Sequence, residues 1–401
     1  MLKKVMIFCF LITTTIFAKV YWYGYYETEF DNIGLPKEKL YTNYHKFRLD
    51  MDVSPSNNIR IAGNIIYKHF EGATKYNYMN FLDEYYHTLR LEDESPLFVG
   101  GTPMVINNRT YELKDTLFFD NIFLELHHKY FDLILGKQQL PTGSGYAWNP
   151  TDIFNKKDIF DPTYENRGVN ALQLRIPIGT RYNLIGIIQP GKDYDNTTQY
   201  YEMKGWLGSF DVAFSYARTE YNPASVYELI GMSKNPAVIR DVGGFNMEGE
   251  LLGLGLRTEI AVNRLNQDND NLKYEYIIGA DYTFRNSLYL LGEYYHNDFG
   301  SEVDQTRLID YMHYFNYTVK SLNQNYAFGM LQYPLTDLID ISLSSIANLD
   351  DESIAINPRL VYRIYQDVEL NFIGTYFYGE DNRDEFGYQD YMARVRLRAY
   401  F

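Results

Sequence analysis

The chain has 401 residues, 46 % of them hydrophobic and 17 % aromatic, with 40 tyrosines, one cysteine and a net charge of −15 from 37 basic and 52 acidic residues. So aromatic a chain is not a disordered acidic tail, and an acidic surplus excludes a nucleic-acid binder, which needs Lys and Arg to meet phosphates. Beyond the first twenty residues no run of 18 is apolar, which excludes membrane-spanning helices.

Residues 1–18 have the pattern of a secretory leader: Lys3 and Lys4, the apolar run Val5 to Phe17, and Ala18 at the cut. The mature chain, residues 19–401, is expected to start at Lys19. It loses Cys9 with the leader, and the loss of Lys3 and Lys4 takes its charge from −15 to −17. An exported chain without cysteine has neither a disulfide framework nor thiol catalysis.

From there apolar and polar residues alternate, the period of a strand with one apolar face. The clearest case is 46–53, with Phe47, Leu49, Met51 and Val53 on one face and Lys46, Arg48, Asp50 and Asp52 on the other. The same pattern predicts strands near 20–30, 46–53, 59–69, 118–128, 131–139, 169–176, 181–189, 199–207, 210–218, 244–252, 254–263, 273–284, 287–296, 324–333, 338–346, 353–364, 368–378 and 388–401. Turns after the even strands are short. The longest connections, 70–117, 140–168, 219–243 and 297–323, follow odd strands. That sorting of loops by end predicts an all-β fold, a single closed antiparallel transmembrane β-barrel of about 18 strands with short periplasmic turns and long outer loops. Closure pairs every backbone group, as hydrocarbon requires, and the tyrosines suit aromatic girdles.

The last predicted strand puts Tyr391, Ala393, Val395, Leu397, Ala399 and Phe401 on one face and Arg394, Arg396 and Arg398 on the other. Alternate apolar residues ending on Phe401 look like the assembly signal of outer-membrane barrels. The expected location is therefore the bacterial outer membrane. The expected partners are outer-membrane lipid and lipopolysaccharide, the barrel-assembly machinery and small hydrophilic solutes, with no nucleic acid.

No constellation calls for catalysis, a cofactor or a metal. Gly143-Ser144-Gly145 lacks the spacing of a nucleophile elbow. His127 and His128, neighbours on a strand, point to opposite faces and cannot share a metal. The chain is expected not to be an enzyme. The alternatives are a non-conducting barrel, as an adhesin or envelope-structural protein, or a barrel enzyme.

The segment 121–172 carries a further signal. Its Gly136-Lys137-Gln138, Gly143, Gly145, Trp148-Asn149-Pro150-Thr151-Asp152, Phe154, Asp161-Pro162 and Arg167-Gly168-Val169 resemble a segment recurring in bacterial outer-membrane channels of the alginate-export and related porin type. Pro141-Thr142 stand where many such segments carry a second Trp. The resemblance implies a channel. Taken alone, the loop 140–168 either folds into the lumen or caps the outer surface. Gly143 and Gly145 for unusual backbone angles, Pro150 and Pro162 for stiffness and Trp148 as an anchor favour the inward course. Asp152, Lys156, Lys157, Asp158, Asp161, Glu165 and Arg167 would then line a constriction.

Most inward charges are expected to pair across strands. An exception is expected around Arg359 and Arg363 on the sixteenth strand and Arg394, Arg396 and Arg398 on the eighteenth. Only Glu369 lies between them, and Tyr21, Tyr23 and Tyr25 of the first strand are expected beside them. Such a positive patch would guide anions, because the guanidinium fork binds carboxylates such as those of uronate sugars bidentately. The expected function is a porin-like channel for passive diffusion of hydrophilic, anionic solutes.

Overall fold

The computed structural model describes residues 19–35, 39–77, 98–99, 102–103, 110–161, 165–192, 196–221, 238–266, 271–302, 320–380, 384–387 and 389–401. The expected leader, residues 1–18, lies outside them, as do parts of the long outer connections.

The alternating segments form one closed antiparallel barrel of eighteen staves. They are β1 (Val20–Gly34), β2 (Lys39–Ser56), β3 (Ile59–Gly72), β4 (Thr116–Phe118 and Ile122–His128), β5 (Phe131–Gln138), β6 (Val169–Ile178), β7 (Tyr182–Gln189), β8 (Thr198–Leu207) and β9 (Phe210–Tyr221). The second half comprises β10 (Val238–Leu251), β11 (Leu254–Leu265), β12 (Leu272–Thr283), β13 (Tyr289–Asn297), β14 (Asn325–Thr336), β15 (Ile339–Asn348), β16 (Ile354–Tyr365), β17 (Val368–Tyr378) and β18 (Tyr391–Tyr400). Each stave pairs with its chain neighbours, and β1 pairs with β18.

Three details depart from the sequence pattern. β1 and β2 run on past the expected ends, so their connection is short, and β10 starts at Val238. The fourth stave is broken between Phe118 and Ile122. At that break the Asp120 and Asn121 amides donate to Asn64 Oδ1 at 3.1 and 3.0 Å, while Asp120 Oδ1 accepts the Gly168 amide at 3.1 Å. The break thus fixes the point where the chain returns to the wall at β6.

The faces follow from period two. Outward positions are apolar and open to the surroundings, among them Trp22, Phe47, Leu135, Phe214, Ile278, Leu331, Phe372 and Val395. Inward positions bury charge, as at Glu27, Glu29, Asp50, Glu125, Glu259, Glu275, Glu293 and Arg396. A soluble fold does the reverse. An apolar belt around a closed, fully paired wall is the arrangement hydrocarbon demands. Among the described residues no helix is long and apolar enough to cross a membrane, so crossing falls to the strands.

The seam is staggered. Tyr25 sits opposite Tyr400 and Gly34 opposite Tyr391, while Gly24 and Phe401 exchange two backbone bonds of 3.0 Å. β1 therefore begins below the end of β18. Closing a barrel requires such an offset between the first and last strands, the shear that accompanies strand tilt. The Phe401 ring stacks on Phe47 at 5.7 Å.

A closed barrel of this kind should migrate ahead of its boiled form on a detergent gel. Deleting Phe401, which removes two rungs and a stacked ring, should lower the temperature at which the fast form disappears. Identical migration of boiled and unboiled wild-type protein, with helical circular dichroism, would refute closure.

Candidate functional site

The described residues between β5 and β6 lie inside the barrel, in two lobes that share a root. At the root Gln139 Nε2 donates to Asn166 O (2.6 Å) and Asn155 Nδ2 to Leu140 O (2.7 Å). Residues 140–153 form the first lobe, and 154–161 with 165–166 are the described residues of the second.

Two wall carboxylates grip the first lobe. Glu259 on β11 accepts the Ser144 amide (2.8 Å), the Gly145 amide (3.3 Å), and the Thr151 amide and hydroxyl (2.5 and 2.7 Å). Glu293 on β13 accepts the amides of Tyr146, Ala147 and Trp148 at 2.7, 2.9 and 3.1 Å. Successive amides converging on an anion form a nest, and their partial charges stabilise the carboxylate as a counter-ion would. Glycine is required in this turn. Gly143 has φ +82°, and a Cβ there would lie 2.8 Å from both Glu259 oxygens, while one on Gly145 would lie 1.8 Å from Trp148 O. Lys320 completes the hold, donating to Asn149 O (2.5 Å) and Pro150 O (2.7 Å) beside Glu275 (3.6 Å).

The lobe sits on apolar wall. Trp148 is buried and stacks on Tyr295 at 4.9 Å, within a cluster that includes Ile277, Leu291, Phe328, Ile346 and Phe377. Leu140 belongs to a second buried cluster with Ala171, Ile187, Tyr200, Ala217, Val242 and Ala261. These residues are apolar side chains at inward positions of β6–β17, among the charges expected there.

The second lobe crosses the lumen. The Phe154 ring meets Tyr200 on β8 at 5.7 Å, and the Phe160 ring meets Phe377 on β17 at 5.6 Å. These two staves lie nine apart in a ring of eighteen, so they face each other. The short segment from Phe154 to Phe160, with a ring at each end, thus links opposite sides of the wall. The Lys157 ammonium donates to the carbonyls of Gly145 and Tyr146 and ties the crossing to the first lobe. Beyond it Asp161 accepts Arg396 Nη2 on β18 at 2.6 Å, with Arg394 Nη1 at 3.8 Å. Glu165 then accepts Tyr25 Oη (2.7 Å), Lys46 Nζ (2.9 Å) and Arg48 Nη1 (3.0 Å) on β1 and β2. Burial pushes the Glu165 carboxyl up, but Lys46, Tyr25 and Arg48 outweigh it and bring it down to about 2. Burial pulls Lys156 down to about 8 against the attraction of Glu385 and Asp158.

The expected constriction residues therefore divide. Trp148 and Asp152 are buried in the loop, where Asp152 Oδ1 caps the amides of Phe154 and Asn155 at 2.9 Å each. Lys156, Lys157, Asp158 and Asp161 lie on the crossing or at its end, and Arg167 is exposed at the return to the wall.

The arginines differ from expectation. The staggered seam brings Glu27, Glu29 and Asp31, not Tyr21, Tyr23 and Tyr25, opposite Arg398, Arg396 and Arg394. Arg398 meets Glu27 at 2.5 Å, Arg396 bonds Glu29 as well as Asp161, and Arg394 lies 3.5 Å from Asp31. Arg363 pairs with Asp340 at 2.6 Å. Four of the five are thus neutralised. Arg359 remains: its Nη2 donates to Asn371 Oδ1 (2.8 Å), no carboxylate lies within ion-pair distance among the described residues, and its buried Nε has no partner.

Glu259, Glu293 and Lys320 were not distinguishable in the sequence as loop-holding groups. The available signal was the apolar residues interrupting the inward polar rows, such as Ile277 between Glu275 and Gly279.

No family model matches the chain, and no curated protein does. Among solved structures it is similar to OccAB1 of Acinetobacter baumannii (9 % identity, 95 % of this chain and 96 % of that one, TM-score 0.57). It is also similar to OccK9 of Pseudomonas aeruginosa (11 %, 96 % and 98 %, 0.57) and to a BenF-like porin from Pseudomonas fluorescens Pf-5 (8 %, 96 % and 98 %, 0.55). At these identities the likeness is one of fold: the chain has the architecture of bacterial outer-membrane channel barrels.

Two substitutions test the holds. Glu259→Gln replaces acceptor oxygen with amide hydrogens facing amide donors. Each charge-assisted bond lost costs about 1.5–3 kcal/mol, so proteolysis between residues 142 and 152 should accelerate while the barrel stays heat-modifiable. Arg396→Met strands buried Glu29, a loss of about 3–5 kcal/mol, and should lower the gel conversion temperature. Arg363→Met, at a half-exposed pair worth about 0–1 kcal/mol, should leave it nearly unchanged.

Proposed function

We propose that this barrel sits in the bacterial outer membrane and passes small hydrophilic solutes by diffusion through a lumen narrowed by the loop 140–168. One observation carries the reading: the second lobe spans from β8 to β17 inside a wall whose outer face is an apolar belt. A segment fastened across the lumen sets a size limit, and charges on and beside it set the preference for solutes. Lipopolysaccharide at the outer leaflet and the barrel-assembly machinery, recognising the strand that ends on Phe401, are the partners this location brings.

The solute class we propose is anionic. The support is narrower than five free arginines. Arg359 on β16 makes no ion pair among the described residues and has a buried Nε without a partner, although Glu369 and Asp161 act on it from a distance, as does Tyr146 at the tip of the first lobe. The planar guanidinium fork suits carboxylates, which makes acidic sugars such as uronates the kind of anion proposed. No covalent chemistry is involved in this reading.

Conductance in planar bilayers checks both levels. Replacing residues 156–165 by a short Gly-Ser bridge should raise single-channel conductance severalfold in a barrel that stays heat-modifiable; unchanged conductance would dissociate the lobe from the pore. Arg359→Gln should shift the reversal potential in a salt gradient toward cation preference, most at low salt, where screening is weak. An unmoved potential would remove Arg359 and the anion preference with it.

A further inference from the structure

Residues 384–387, between β17 and β18, pack into the outer mouth and bury an acid there. In the turn Asp384–Gly387, closed by Gly387 N donating to Asp384 O at 3.0 Å, the Glu385 side chain is only 8 % exposed. Its Oε2 accepts Tyr326 Oη on β14 (2.6 Å) and Asn348 Nδ2 on β15 (3.0 Å). Its own amide donates to Asp351 Oδ2 in the β15–β16 turn at 2.8 Å, and the Phe386 amide donates to Ser353 Oγ at 3.3 Å. The Phe386 ring lies against Phe160 (6.1 Å, edge-on) and Phe377 (6.2 Å). Phe160 is the far anchor of the lumen-crossing lobe, so this turn sits on top of it. The charged and titratable groups facing Glu385 are Tyr326 from β14, Asp351 from the turn, Asp384 from its own segment and Lys156 from the lobe.

We propose that the Asp384–Gly387 turn is a proton-operated latch, docked over the second lobe while Glu385 is protonated and released from the mouth as Glu385 ionises beside Asp351. Two features make it bistable. The turn is held by side-chain and amide bonds to β14, β15 and the β15–β16 turn and by the Phe386 ring rather than by a strand ladder. The seat already contains a second carboxyl, so a second negative charge there is opposed by both desolvation and repulsion. Lys156 attracts the ionised form and moderates the effect.

The direction follows from linkage. Burial raises the Glu385 carboxyl from 4.5 to about 8 in the docked turn. The docked form therefore binds the proton more tightly than the released form. Docking is strongest below about pH 4.5, weakens by about tenfold per pH unit, and levels off near pH 8. Asp351, also raised by burial, acts in the same sense.

Thiol access to Ser353 tests this. In a Cys9→Ser chain, Ser353→Cys places a near-isosteric thiol beneath Phe386, and Leu252→Cys, at a turn position 98 % exposed, serves as the reference. The ratio of their rates with a methanethiosulfonate reagent cancels the ionisation of the thiol. That ratio should rise at least tenfold between pH 5 and pH 8 in folded, heat-modifiable protein. Most of that rise should be lost when Glu385→Gln is added, since the amide oxygen still accepts from Tyr326 and Asn348 and carries no charge, and only the smaller share of Asp351 remains. A flat ratio without Glu385→Gln, or the same rise with it, would overturn the latch. The readout is chemical access rather than solute passage, so it succeeds or fails independently of the channel reading.

Discussion

A stretch of irregular backbone inside a barrel has to satisfy its amides away from bulk water, and Glu259 and Glu293 meet that requirement. Between them the two carboxylates take six consecutive or near-consecutive amides of the first lobe, from Ser144 to Thr151. Buried amides without acceptors would each cost about 1–3 kcal/mol, and buried carboxylates without donors would cost more. Each side removes the other's penalty. The position of Trp148 on Tyr295, the reach of Lys157 across to the carbonyls of Gly145 and Tyr146, and the line of the second lobe all follow from where that lobe is held.

The barrel was legible because its signal is redundant. Every stave repeats the same alternation, and the sorting of short and long connections counts the staves a second time. The eighteen expected segments coincide with the eighteen staves, and the misjudged boundaries, at the top of β1, β2 and β10, are where the alternation runs into polar loop sequence. The break in β4 depends on Asn64, a neighbour across the ladder, and no local pattern announces it.

The inner surface was less legible, for two physical reasons. Register across the seam depends on the shear of the whole barrel, which no single strand encodes. Aligning the ends of β1 and β18 puts tyrosines beside the arginines, whereas the true stagger puts Glu27, Glu29 and Asp31 there. The other reason is that inward charge was assumed to meet inward charge. Glu259 and Glu293 instead meet backbone from the loop, and Asp161 and Glu165 of the loop take arginines and a lysine from the wall. Ile277, Leu291 and Phe328 on the polar face mark the loop's seat, a pattern that has meaning only once something is known to lie there.

The second lobe ends on both sides of the seam. Asp161 is held by Arg394 and Arg396 of the last stave, and Glu165 by Tyr25, Lys46 and Arg48 of the first two. Those two holding sites become neighbours only when the last stave meets the first. In an open sheet they stand at opposite edges, separated by every other strand, and the lobe cannot occupy both. The paired hold on Asp161 and Glu165 is therefore complete only in the closed ring, and there the loop acts as a brace across the joint between first and last staves.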